Sequence, residues 1–175
     1  MTSTFATVYA ALADRLRAET TLGWIDLDQG QLTEESLSQE YSLPFHLGVA
    51  LIDFDEADWH DIGQGVQRGN CQVRVTLAVE VAADSYQQSM QRGAALAKLE
   101  LLRDVHAALQ HYDGGGQFGA LVRTYSRKEQ GVAAGIWVYS LGYNCLLTDT
   151  DGYDGATQVI SGLEQTGRSE FVLPQ

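Results

Sequence analysis

Residues 71–81 read CQVRVTLAVEV, and this stretch decides the fold. Apolar side chains occupy every second position from Cys71 to Val81. A period of two places alternate side chains on opposite faces of a β-strand. The stretch therefore predicts a strand with one core face and one polar face, and the polar face carries Gln72, Arg74, Thr76 and Glu80.

Segments before this strand predict a helix and two further strands. Ser3 or Thr4 caps a helix whose apolar residues recur every three or four positions up to Leu16. Residues 24–28 alternate like an edge strand with Asp26 and Asp28 facing water, and an acidic loop follows over 29–43. The nearly continuous apolar run 47–54 predicts a strand buried on both faces, followed by an Asp- and Gly-rich stretch over 55–69.

Segments after this strand predict a long helix and a hairpin. Asp84 or Ser85 caps the helix, whose apolar stripe runs from Tyr86 through Met90 to Tyr112, and Gly114–Gly116 ends it. Residues 120–128 and 135–148 predict two strands of a hairpin. The order predicts an α+β domain over 1–148, a mostly antiparallel sheet flanked by an N-terminal helix and a long central helix. Residues 149–175 form a C-terminal arm that ends in a short strand at 171–173.

Composition and charge bound the function. The chain has 175 residues, 45% of them hydrophobic and two of them cysteines, and a formal net charge of −12. This balance argues against a groove that holds nucleic acid by neutralising phosphates. With no apolar run near 18 residues and no basic region after Met1, we expect a soluble, intracellular protein without membrane anchor or signal peptide.

The charge is unevenly distributed along the chain. Residues 19–61 hold eleven acids and no Lys or Arg, whereas residues 68–128 hold eight bases and five acids. An acidic first third and a basic middle allow identical copies to attract one another. The alternative interpretation is a solvated acidic surface that aids solubility.

Candidate chemistry is sparse. The acidic cluster Asp53, Asp55, Asp58 and His60 would be the ligand set of a small metal-dependent hydrolase, but it has no metal-ligand spacing. Cys71 and Cys145 lie on apolar strand faces, which favours inert core thiols. We therefore expect no enzyme, no metal and no cofactor, and an acidic binding module or DNA mimic is a further alternative.

Several stretches together resemble the tail-terminator or tail-completion proteins of tailed phages and prophages, especially those of Bacteroidetes. The resemblance runs from about Thr4 to Thr148 and is one of pattern, without a catalytic motif. It rests on WIDLDQGQ at 24–31, LPF at 43–45, VALIDF at 49–54, a Trp59-to-Gly69 segment, the strand 73–81, residues 101–109 and residues 118–123.

What the resemblance implies is a structural virion protein of helix-flanked sheet fold. Such subunits form a hexameric ring that caps the tail tube, so the implied partners are copies of itself, the tail tube protein and the head–tail connector. DNA would pass through the lumen. A head–tail stopper or neck protein is the neighbouring alternative, and the implied location is the virion, assembled in the host bacterial cytoplasm.

A ring subunit needs two different patches that complement each other on successive copies. The polar face of strand 73–81, with Arg74 and Glu80, is one candidate for an interface or lumen surface, although it also fits a water-facing sheet surface. The basic cluster Arg123, Arg127 and Lys128 is a second candidate, with an ion-pair partner for acidic neighbours as the equal alternative.

Overall fold

A computed structural model describes residues 3–33, 43–80, 86–90, 92–129 and 135–152. These residues form two α-helices, α1 (Thr4–Glu19) and α2 (Arg92–Leu109), and a short 3-10 helix at Phe45–Leu47. They also form five strands: β1 (Trp24–Leu27), β2 (Val49–Gly63), β3 (Val66–Glu80), β4 (Val122–Lys128) and β5 (Ile136–Asp149).

The five strands form one mixed sheet in the order β1-β2-β3-β5-β4. Strand β1 runs parallel to β2 over four residues, from Trp24 opposite Val49 to Leu27 opposite Ile52. The β2–β3, β3–β5 and β4–β5 pairs are antiparallel. The structure confirms an α+β domain.

The hairpin of β2 and β3 is longer than the sequence pattern predicts. We expected a buried strand over 47–54 followed by an Asp- and Gly-rich stretch. Instead β2 continues for fifteen residues to Gly63, and only Val49–Ile52 at its start are fully buried. Gln64 and Gly65, with φ of 59° and 75°, close the hairpin as a two-residue turn of the kind that matches the twist of paired strands. The polar Asp-rich segment therefore belongs to a strand. An exposed strand can carry polar residues, because its backbone still pairs with the neighbouring strand.

Both helices contribute to one core on a single face of the sheet, which we call the helix face. Ser3 caps α1 by accepting a hydrogen bond from the Ala6 N–H at 3.3 Å. From α1 the stripe of Val8, Leu12 and Leu16 is buried, and from α2 Val105, Ala108 and Leu109 are buried. They pack on the apolar residues of the three central strands, among them Ile52, Val75, Leu77, Leu141 and Tyr143. The alternation in residues 71–81 correctly predicts this face.

The central helix begins later and ends earlier than expected. It starts at Arg92, whereas Tyr86 and Met90, which we placed in its apolar stripe, lie before it and are exposed. It ends at Leu109, because His111 adopts a positive φ of 64° that interrupts the helical path before the glycines. The proposed caps Asp84 and Ser85 lie outside the described residues.

Both ends of the described chain meet beside the β2–β3 turn. The Thr4 side chain donates to Asp149 at 3.0 Å, and the Thr4 N–H donates to Asp151 at 3.1 Å. Gly152 lies so close to the Gly65 carbonyl that a Cβ there would be 2.9 Å from the oxygen. The predicted strand at 171–173 and most of the proposed arm lie outside the described residues.

Candidate subunit interface

The face of the sheet opposite the helices, which we call the open face, has an apolar end and a polar centre. At the apolar end, Val49 and Leu51 of β2 pack with Ala78 and Val138. The segments before and after residues 34–42 cover this cluster with Leu32, Leu43 and Phe45. The polar centre begins one pleat further along β2, at Asp53.

Arg74 forms the centre of the polar half. Its Nη2 lies 2.5 Å from Asp53 Oδ2 and 3.0 Å from Asp55 Oδ1. The side chains of Arg74, Asp53 and Asp55 are 28%, 36% and 24% exposed, so the ion pairs are only partly solvated. Arg74 Nε is buried and has no hydrogen-bond partner among the described residues.

The two ends of this ion pair respond differently to their surroundings. Burial raises the pKa of the Asp55 carboxyl, against the opposing effect of Arg74. Burial also opposes the charge of Arg74, but Asp55 and Asp53 outweigh it and raise the pKa of the guanidinium. Arg74 therefore helps to keep Asp55 charged against the effect of burial.

Next to Arg74 the open face holds a cleft of about 370 Å³. Its charged lining groups are Asp28, Arg74, Arg127 and Glu129, and Thr76 and Ser140 form its floor with their hydroxyls 3.3 Å apart. Arg127 Nε donates to Glu129 Oε1 at 2.8 Å, and this bond lowers the pKa of the Glu129 carboxyl. Both arginines of the cleft are thus paired with carboxylates.

Tyr125 fixes Arg127 over the edge of the cleft. The Arg127 guanidinium lies 5.3 Å from the centre of the Tyr125 ring. That ring occupies the space above Gly142, where any Cβ would overlap it. Because Gly142 has no side chain, the Tyr125 ring of β4 can lie directly against the backbone of β5.

The predicted interface residues do not form one cluster. Arg74 and Arg127 lie on the open face at the cleft, and Glu80 lies on the same face at the exposed end of β3. Arg123 and Lys128 pair with Tyr143 and Tyr139, so they lie on the helix face of β4. The basic cluster read from the sequence is therefore divided between two faces, because neighbouring residues of a strand point in opposite directions.

The acidic cluster considered as a metal site is also divided. Asp53 and Asp55 are engaged by Arg74, whereas Asp58 and His60 lie further along β2, opposite Asn70 and Arg68. Among the residues that the structure describes, no three His, Cys, Asp or Glu side chains are grouped so that they could hold a metal ion. The hydrolase alternative thus has no supporting geometry in this part of the chain.

Two cysteines face each other on the helix face. Cys71 of β3 is directly opposite Cys145 of β5, and both are buried. The hydrogen bond to Cys71 and burial both raise the pKa of the Cys145 thiol. The prediction that these are core residues is confirmed.

The outer edges of the sheet differ in charge. Strand β4 is the last strand on one side and carries Arg123, Arg127 and Lys128 without an acid; we call it the basic edge. On the other side β1 covers β2 only as far as Ile52. Beyond it, residues 54–63 of β2 carry Asp55, Glu56, Asp58 and Asp61 without a Lys or Arg; we call this stretch the acidic edge.

No direct signal in the sequence pointed to three groups that line the cleft. Asp28, Glu129 and Ser140 come from the loop after β1, the loop after β4 and strand β5, and they reach the cleft only through the sheet order. One signal was present: Asp53 interrupts an otherwise apolar strand, and such a residue needs a cation nearby. Arg74, on the polar side of the next strand, was the base available to it.

No protein-family model matches the chain, and no curated protein matches its sequence. Among solved structures, the chain resembles one from the "Virion of native gene transfer agent (GTA) particle" with a TM-score of 0.47 and 13% identity. That alignment covers 81% of this chain and 94% of the other. Within the described residues, no helix combines the length and apolar character needed to cross a membrane. The resemblance of the sequence to tail terminators stays a prediction.

Proposed function

We propose that the chain is a structural, non-enzymatic subunit of a phage or phage-like virion, a tail terminator or tail-completion protein. In this role it forms a ring at the head-proximal end of the tail tube. It contacts the tube protein on one side and the head–tail connector on the other, and DNA passes through the lumen. The sequence resemblance and the helix-flanked α+β fold support the proposal.

One observation carries the proposal furthest. The charged groups at the centre of the open face are held in ion pairs with one another, Arg74 with Asp53 and Asp55, and Arg127 with Glu129. A surface of this kind presents shape and a balanced field to a neighbour, whereas a reactive site presents an activated group. The net charge of −12 also suits a ring through which DNA moves without adhering.

Deletion of the gene from the phage or prophage, followed by electron microscopy of the particles, tests the proposal. We expect tails of uncontrolled length and mature tails that lack a head. Complementation with the unaltered chain restores normal particles, and complementation with Leu77→Asp, which disrupts the core, does not. Heads that leak DNA beside tails of normal length would indicate the stopper role instead.

Mass spectrometry of purified particles is the second arm. The chain is expected as a low-copy component of complete virions. Tailed particles that assemble normally and contain none of it would exclude a structural virion role.

A further inference from the structure

We infer that the acidic edge of one copy receives the basic edge of the next, so that two sheets join by strand pairing. The inference rests on the proposed function, because it assigns the contact by which ring subunits associate. The occupant of each edge is a second copy of this chain.

Along both edges, backbone N–H and C=O groups point away from the sheet that the described residues form. The Glu129 N–H bonds the Val138 carbonyl, so alternation along β4 directs the backbone groups of Ser126 and Lys128 away from β5. On β2, the Ile52 carbonyl accepts from the backbone N–H of Asp28 and so points away from β3. The register between β2 and β3 then directs the backbone groups of Ala57 and Trp59 away from β3 as well. Among the described residues no strand pairs with either stretch. Exposed strand edges of this kind are templates for further pairing.

The strand directions allow the two edges to pair. Strands β3 and β4 run one way and β2 and β5 the other. A second copy placed beside β4 in the same orientation therefore brings its β2 alongside in the antiparallel sense. Strand β4 has seven residues and spans about 24 Å, whereas the ten residues of the acidic edge span about 34 Å, so β4 fits within it.

The charges of the two edges complement each other. Glu56, Asp58 and Asp61 have no ion-pair partner among the described residues, and neither have Arg123 and Lys128. Because opposite residues share a face, Arg127 would meet Glu56 and Asp58 on the open face. On the helix face, Arg123 would meet Asp61. The exposed side chains of Val122 and Ile62, 48% and 54% exposed, lie at the matching ends of the two edges.

The offset along the strands between one copy and the next suits a closed ring. Within one sheet Tyr125 lies level with Asp53, so a neighbour must slide by about five to seven residues, roughly 17–24 Å, to bring the acidic edge there. Four strands spaced about 4.8 Å apart advance the sheet by roughly 19 Å per copy. The strands would then tilt by about 40–50° from the ring axis, near the 35–45° found in closed barrels. A heterologous contact with this offset can close on itself.

Charge reversal on the full-length purified chain tests the contact. We compare the unaltered protein with R123E/R127E, with D58K/D61K and with the combination of all four, by native mass spectrometry and sedimentation over a concentration series. Each double variant should associate about tenfold to a hundredfold more weakly, and the combination should recover association. The control R17E/R92E makes the same change of charge at exposed helix residues away from both edges and should associate normally.

Hydrogen exchange supplies a readout of the backbone. The amides of Ser126 and Lys128 should be protected in the assembly and exchange freely in R123E/R127E, while the amides of α1 stay protected in both. Association that the double variants leave unchanged, a combined variant that does not recover, or an unaltered chain that stays monomeric would each overturn the inference. Protection of both amides in the monomer would overturn it too, because the chain itself would then cover the edge.

The two proposals fail separately. If complete particles contain the chain but the edge variants associate normally, the contact is wrong and the virion role stands. If the edge variants behave as expected but particles lack the chain, the virion role is wrong and the contact stands.

Discussion

Replacing Arg74 by Met removes the cation at the centre of the open face while keeping most of the side-chain volume. Asp53 and Asp55 then face each other without a partner. Removing one partner of a buried ion pair costs about 3–5 kcal/mol, and an exposed pair contributes about 0–1 kcal/mol. Because these side chains are between 24% and 36% exposed, we expect a loss of about 2 kcal/mol in the free energy of unfolding at pH 7.

The loss should depend on pH in a defined direction. The pKa of Asp55 is already raised by burial, and loss of Arg74 raises it further. A carboxyl with a raised pKa in the folded state contributes stability that is complete below its ordinary pKa and is lost as the pH rises through the folded-state pKa. The deficit of R74M should therefore be largest at neutral pH and shrink as the pH falls towards about 4.

Urea unfolding followed by tryptophan fluorescence measures this deficit at both pH values. The matched variant R74M/D55N removes one of the two facing carboxylates and should recover about half of the loss. A deficit below about 0.5 kcal/mol at pH 7, or one that grows on acidification, would refute the reasoning about Arg74.

Three further predictions concern the fold and the cleft. Leu77→Asp places a charge at a position with 0% exposure, so we expect several kcal/mol of destabilisation and insoluble protein on expression; soluble, folded L77D protein would contradict the assigned core. Gly142→Val should destabilise by about 1–3 kcal/mol because its side chain displaces the Tyr125 ring, and adding Tyr125→Ala should restore part of this loss in thermal unfolding. Glu129→Gln should cost less than about 1 kcal/mol, and only above the carboxyl's ordinary pKa. Since bonding to Arg127 lowers the pKa of Glu129, the difference between the two proteins should be full above the ordinary pKa of the carboxyl and shrink as the pH falls below it; a difference that grows on acidification would contradict this pairing.

The sequence predicted the elements that carry a strong period, and it failed where exposure removes the period. The apolar residues of α1 and the alternation of β3 correctly assigned the helix face, because burial of one side imposes a repeat on the residues. The second half of β2 has only a short repeat, because beyond Phe54 only Ala57 and Trp59 are half-buried on the helix face. Its strand character comes from pairing with β3, which a single sequence does not display.

The candidate interface was predicted only in part for a similar reason. Arg74 was identified from its place on a polar strand face, but its partners Asp53 and Asp55 depend on the register between β2 and β3 and on the bulge after Phe54. Arg127 and Lys128 lie on opposite faces by strand alternation alone, but the position of Arg123 on the same face as Lys128 depends on a second irregularity, between Arg123 and Tyr125. Such bulges shift which side of the sheet a residue occupies, and their positions were not evident in the sequence.

Thr4, the end of β5 and the β2–β3 turn are in contact. Both ends of the described chain, Ser3 and Gly152, therefore lie at one corner of the domain. That corner adjoins the acidic edge, because Phe5 packs against Phe54 and Trp59 of β2. Any polypeptide fused ahead of Ser3 or beyond Gly152 starts there. A fluorescent protein inserted directly ahead of Ser3 or directly after Gly152 would crowd the acidic edge, whereas one inserted directly after Glu129 would start beside the opposite margin of the sheet.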